Sequence, residues 1–281
     1  MSTAGSIGVA LTSQPTQPPS SASETRTRAG RDWRPLLSVG SMLALVLAWY
    51  LLTDVTGVVD PLYFPTVHET WQAAQTLGWN LWDNIRATTV RVLISWAVGC
   101  TLGVLVGLAM ARSKIIFYLV NPLIEALRPV PPIALIPFTL IWFGLTEQGR
   151  IVLAALSCFM IMVVSTVGAA RNVPPVYLRA AASLGASSNR IYFSVVLRAI
   201  VPALVSAIRV SAALAWAVVV AAEYLGAQNG IGFLILQASK TVNTPVVLLG
   251  TIVVGLAAFL FEQIIRLVTN HLTRWVERSE H

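Results

Sequence analysis

Along this chain, long apolar runs alternate with short polar breaks. The apolar runs cover about residues 36–52, 87–111, 115–144, 151–170, 201–225 and 246–268. A helix needs about twenty apolar residues to cross a hydrocarbon core of about 30 Å, so the pattern predicts an all-α membrane protein with six transmembrane helices. The first run is only just long enough. The third run cannot be one helix, because Pro129, Pro131, Pro132 and Pro137 remove backbone donors and break the hydrogen-bond ladder. Such a break is tolerated at membrane depth only where it is buried in protein or lines a wet cavity.

The polar segments predict the rest of the organisation. Residues 1–34 are rich in Ser, Thr, Pro and Gln and end in Arg26, Arg28, Arg31 and Arg34, which reads as a disordered cytoplasmic tail. Residues 35–275 form the transmembrane domain and 276–281 a second cytoplasmic tail. Between the first two runs, Pro61 and Pro65 precede Thr66-x-x-Glu69, the pattern of a capping box that opens a short helix. Trp71, Trp79 and Trp82 then supply an interfacial aromatic belt. The longest break covers residues 171–200. Pro174 and Pro175 open it and Pro202 follows it, so one helix is expected to stop near Asn172 and the next to begin near Pro202. Within the break, residues 176–184 form a short Ala-rich helix stopped by Gly185. From the residues alone this is either a basic cytoplasmic loop or a built docking element.

Composition agrees with the pattern. The chain has 281 residues, 56% of them hydrophobic and 11% charged, with a mean hydropathy of +0.73. That is too apolar for a soluble fold of this size. The net charge of +7 would suggest a nucleic-acid partner in a soluble protein, but its distribution indicates membrane topology instead. With both termini placed inside, thirteen Lys and Arg lie on the cytoplasmic side and Arg86, Arg91, Arg150 and Lys240 outside, while Arg128 and Arg209 are embedded. The same asymmetry puts residues 171–200 in the cytoplasm. Cys100 and Cys158 fall inside apolar runs and are expected to pack as small apolar residues.

Several residues in the runs carry candidate roles. Gly99, Gly103 and Gly107 recur every four residues, a stripe that lets another helix approach closely. Arg128 stands at the break of the third run beside Pro131 and Pro132, three residues after Glu125. It either pairs with Glu125 or belongs to a pathway or its gate. Arg209, Ala213, Trp216, Val220 and Glu223 share one face of the fifth helix, turned toward protein or toward a pathway. Glu262 and Arg266 are spaced for an interfacial pair.

The spacing Arg179-Ala180-Ala181-x-x-x-Gly185, with Ser183 and Leu184 inside it and Val195-x-Leu197 beyond, resembles the EAA loop of ABC-importer permeases. Two positions depart from that pattern: Arg179 replaces the usual glutamate, and Arg198 stands where a proline is common. Arg128-Pro129-Val130-Pro131-Pro132 and Ile141-Trp142-Phe143-Gly144 are similar to the taurine, sulfonate and nitrate branch, its taurine permeases most of all. The resemblance runs from about residue 36 to 275. It implies a type I importer fold in which Arg179, Ala180, Ala181, Ser183, Leu184 and Gly185 dock on a cytoplasmic ATPase. It also implies a second copy of the permease, two ATPase subunits that carry ATP and magnesium, an extracytoplasmic solute-binding protein, and a cargo such as taurine or another sulfonate. Nitrate, bicarbonate and pyrimidine precursors remain alternatives. The sequence contains no G-x-x-x-x-G-K-[S/T], no H-E-x-x-H and no clustered metal ligands, so neither an ATPase site nor a cofactor of its own is expected. A secondary transporter using Glu125, Glu223 and Glu262 as ion sites is the competing class.

Overall fold

The computed structural model describes residues 34–57 and 60–273, and every regular element among them is a helix. Both expected tails lie outside these residues, apart from Arg34 at one edge. The chain forms two compact units, Met1–Val46 and Leu47–His281. In the first, the described part is the start of helix α1 (Arg34–Tyr50), with Leu37, Met42, Leu43 and Leu45 exposed. Helix α1 ends in a π-helical turn, Leu51–Val55. With that turn the helix runs unbroken from Arg34 to Val55, about 33 Å at 1.5 Å per residue.

In the second unit, α2 (Val67–Leu77) opens with the expected capping box. The Thr66 side chain accepts from the Glu69 backbone N–H at 3.1 Å, and the Glu69 carboxylate accepts from the Thr66 N–H at 3.0 Å. Four helices are long and apolar enough to cross a membrane: α3 (Trp79–Arg112), α6 (Glu147–Arg171), the continuous segment Ser188–Tyr224, and α11 (Thr244–Thr273). A fifth crossing is the third apolar run, broken as its prolines predict. It comprises α4 (Lys114–Leu127), a 3-10 turn at Pro132–Leu135 and α5 (Ile136–Phe143), bent by 91°. Among the described residues four helices, and the bent pair as a fifth span, are long and apolar enough to cross; the first expected run lies partly on residues outside the full description.

The directions of the helices require that bent crossing. Gly99, Gly103 and Gly107 of α3 face Cys158, Met162 and Thr166 of α6 in the same order, so these helices run parallel. The segment between them must return the chain across the bundle, and α4 with α5 is that segment. The contact is close because the glycines have no side chains: a Cβ at Gly103 would lie 2.6 Å from the Met162 Cβ and 2.8 Å from the Phe159 carbonyl oxygen.

The segment Ser188–Tyr224 comprises α8 (Ser188–Ile191), a π-helical turn at Tyr192–Val196 and α9 (Leu197–Tyr224). It packs antiparallel on α3 and α6, with Cys100 Sγ 3.2 Å from Ser211 Oγ. Val92, Leu153, Ala154, Cys158, Met162, Ala215, Trp216 and Val219 fill the core of this three-helix unit. Pro202 does not start the helix, as the sequence reading expected, but lies inside α9. A proline withholds one N–H and crowds the carbonyl four residues earlier, a defect membrane helices absorb when neighbouring packing holds them. Among the described residues Glu125 does not pair with Arg128, one of the two readings of that position, but accepts from Asn121 at 2.9 Å, and the expected pair of Glu262 with Arg266 does not form.

Candidate functional site

At one end of the bundle, the chain between α6 and α8 folds into a capped helix set apart from the core. Helix α7 (Pro175–Ser183) begins at a proline preorganised for the first turn. It ends in a Schellman motif: the Ala186 N–H donates to the Ala181 carbonyl at 3.1 Å and the Gly185 N–H to the Ala182 carbonyl at 2.9 Å. Gly185 has φ of +78°, the left-handed conformation this cap needs. Ser187 then caps α8 by accepting from the Arg190 N–H.

Inward-facing apolar side chains hold this end together. Leu178 of α7 packs on Val173, Val196 and Ile200. The Tyr192 hydroxyl donates to the Leu108 carbonyl at 2.7 Å, and Arg112 donates to Asn189 Oδ1 at 2.7 Å, tying α8 to α3. The Arg171 guanidinium lies 3.6 Å from the Phe117 ring centroid. The outer face of α7 is left uncovered: Arg179, Ala180, Ser183 and Gly185 are exposed, Ala181 is half-buried, and Leu184 is 88% exposed. With Val176 and Tyr177 also exposed, the chain presents a small apolar surface on a rigid, capped helix.

The break in the third run supplies a second feature. Arg128 ends α4 and is exposed, Pro131 precedes the 3-10 turn, and Pro132 begins it. Arg128 and Pro132 line a cavity of about 300 Å³ against α6 and α9, whose other walls include Leu156, Met160, Ser165 and Leu214. The surface is mainly apolar, with one cation at its rim and serine hydroxyls on one wall. The expected face of α9 does not open as one surface onto this space. Arg209 donates to Thr269 Oγ1 at 2.8 Å, Ala213 is exposed, and Trp216 and Glu223 are buried.

Glu223 belongs to a buried ionic cluster at the opposite end of the bundle, whose central members are too far apart in sequence for any local pattern to mark. Its centre is Arg91 of α3, 4% exposed. Arg91 Nη1 pairs with Glu223 Oε1 at 2.5 Å, while Nε and Nη2 each lie 2.6 Å from a Glu147 oxygen. The Asn229 carbonyl accepts from Nη1 at 2.9 Å, and Asn229 Oδ1 accepts from Nη2. All five guanidinium donors are thereby used. Glu223, fully buried, also accepts from Thr88 Oγ1 at 2.9 Å and from the Gly232 N–H at 2.9 Å. Glu147 makes a second pair with Arg150 Nη1 at 3.1 Å, and Arg150 Nη2 donates to the Leu145 and Gly226 carbonyls. Two cations and two carboxylates thus balance, as burial of charge demands. The cluster fastens α3, α6, the end of α9 and the start of α10 (Ile231–Lys240) to one another. Among the described residues, no group of His, Cys, Asp and Glu could hold a metal ion.

Comparison with known proteins agrees with this architecture. Residues 99–278 match the family described as binding-protein-dependent transport system inner membrane component. The taurine transport system permease protein TauC of Escherichia coli (strain K12) is 31% identical over 85% of this chain and 89% of its own length. A putative aliphatic sulfonates transport permease protein, SsuC of Bacillus subtilis (strain 168), is 26% identical over 92% and 94%. The nitrate import permease protein NrtB of Leptolyngbya laminosa is 27% identical over 76% and 74%. Among solved structures, an inward-facing MetNI methionine ABC transporter has a chain that superposes with a TM-score of 0.56, covering 69% of this chain and 98% of that one at 23% identity, which supports the fold. The chain belongs to the binding-protein-dependent transport inner-membrane component family and is a multi-pass permease subunit of an ABC importer.

Proposed function

We propose that this permease imports taurine or another small sulfonate through a pathway formed by two copies of the chain. Two cytoplasmic ATPase subunits with ATP and magnesium supply the energy, and an extracytoplasmic solute-binding protein delivers the cargo. The observation that carries the cargo assignment is that relatives covering most of the chain are named for taurine, aliphatic sulfonates and nitrate. Arg128 at the rim of the break cavity is the cation suited to such a solute, with Pro131 and Pro132 shaping the wall. Both termini and α7 lie in the cytoplasm on this reading, in line with the arginine asymmetry.

Helix α7 is the coupling element. Its capped end gives a rigid lever, its small Ala180 and Ala181 allow close approach, and Leu184 offers an anchor. Closure of the paired ATPases moves both copies of α7, and the spans attached to them rock between inward-open and outward-open packings. Family membership speaks against the secondary-transporter alternative, and of its three carboxylates Glu223 is paired with Arg91.

Gly185→Val tests the lever. A β-branched residue in the left-handed region costs about 1–2 kcal/mol, enough to lower ATP-dependent uptake by roughly tenfold at unchanged permease abundance. A Cβ at Gly185 meets nothing within 4 Å, so the change strains the cap without a steric clash. Full uptake by the variant with a normally assembled ATPase would remove α7 from the mechanism. Labelled taurine, ethanesulfonate and nitrate presented to the complete importer decide the cargo.

A further inference from the structure

Beside the Arg91 cluster lies a cavity of about 430 Å³ whose walls carry Asp83, Arg86, Arg91, Glu147 and Asn229. Helical spacing builds one wall: Asp83, Arg86, Val90 and Arg91 recur on the same side of the first turns of α3, facing Glu147 and Ile151 at the start of α6. The four charged groups balance, two arginines against two carboxylates, but their states differ. Every donor of Arg91 is committed to Glu147, Glu223 or Asn229, and Glu147 is shared between Arg91 and Arg150. The side chains of Arg86 and Asp83 are exposed and make no hydrogen bond or ion pair with another described residue. Glu147 keeps a side chain 55% exposed on the same cavity. The space therefore offers one uncommitted guanidinium on a wall that also carries uncommitted carboxylate surface, within the size range of small-ligand sites.

We propose that this cavity is an entry site for a small zwitterion, an amine-bearing sulfonate or carboxylate. Arg86 takes the anionic group, and Asp83, with the exposed edge of Glu147, takes the ammonium. The Arg91 cluster holds Glu147 in place and keeps the wall rigid. The site lies at the end of the bundle opposite α7, so on the proposed orientation it meets solute before the break cavity does. A plain anion such as nitrate satisfies Arg86 alone and leaves the carboxylate side facing it. The inference rests on the proposed import of a small sulfonate and narrows it to those that carry an amine.

The test is equilibrium binding to the purified permease–ATPase complex, without the solute-binding protein, using 2-aminoethanesulfonate and ethanesulfonate as probes. Wild type should bind the aminosulfonate about tenfold more tightly than ethanesulfonate, the order of one exposed charge pair with a hydrogen bond. Arg86→Gln should weaken both probes by about tenfold, with Arg86→Lys restoring most of the loss, whereas Asp83→Asn should weaken only the aminosulfonate and close the gap. Unchanged dissociation constants in both variants, or equal losses for both probes in Asp83→Asn, would overturn the site. Uptake by the complete wild-type importer separates this from the cargo assignment. Uptake of aminosulfonate with unmoved binding in the variants removes the site alone; absence of sulfonate uptake removes the cargo assignment, and the binding series decides the site by itself.

Discussion

Replacing Arg91 with methionine should destabilise the permease by about 3–5 kcal/mol, because it strands a buried carboxylate without its counter-charge. Glu223 is fully buried, and without Arg91 it keeps only Thr88 and the Gly232 N–H as partners. The loss should appear as a lower unfolding midpoint of the purified permease in detergent. Removing the carboxylate as well, in Arg91→Met with Glu223→Gln, should recover a large part of the loss, since the stranded charge rather than the missing pair carries the cost. Glu147→Gln should cost less than Arg91→Met, because Glu147 is half open to solvent and Arg91 keeps Glu223 as its counter-charge. If Arg91→Met and Glu147→Gln cost the same, the cluster is not organised around Glu223.

Gly103→Leu should cost about 3 kcal/mol or more, at or beyond the upper end of core overpacking, and should separate α3 from α6. The space is already taken: the first atom of a side chain would stand 2.6 Å from the Met162 Cβ and 2.8 Å from the Phe159 carbonyl. The neighbour on one side is backbone, which cannot rotate out of the way. Gly255 of α11 is the control, because a Cβ there meets nothing within 4 Å; Gly255→Ala should leave the midpoint within about 0.5 kcal/mol of wild type. The two variants compared by thermal unfolding in the same detergent decide whether contact geometry or glycine content governs the stripe. Equal midpoints for both would mean that α3 and α6 do not approach as closely as described.

What could be read from the sequence was local in cause. The Thr66 and Glu69 capping box, the Gly185 stop and the break at Pro129 to Pro132 each arise within a few residues, where side-chain chemistry acts directly on the neighbouring backbone. The glycine stripe indicated close approach without naming the partner, since helical periodicity specifies a face and not what it meets. The Arg91 cluster escaped for that reason: Arg91 and Glu223 stand 132 residues apart, and only the antiparallel packing of α9 on α3 joins them. One signal was present, an arginine and a glutamate each at the outer end of an apolar run. Taken singly, Arg91 falls outside the membrane and Glu223 on a face turned toward protein or toward a pathway. Pro202 lies inside α9 against expectation because the proline rule holds for isolated helices, whereas tertiary packing here tolerates the missing donor. The pairs at Glu125 and Glu262 failed because spacing permits an exposed ion pair without making it favourable.

The side of the membrane on which α7 stands is the most direct measure of the coupling scheme. Ser188 caps no helix and is exposed next to α7, while Cys100 and Cys158 are buried, so Ser188→Cys offers a single reactive thiol among the described residues. In intact cells this thiol should resist a membrane-impermeant maleimide, react once the cells are permeabilised, and be shielded again when the ATPase is bound. Labelling in intact cells would place α7 outside, beyond the reach of any cytoplasmic ATPase, and would contradict the scheme.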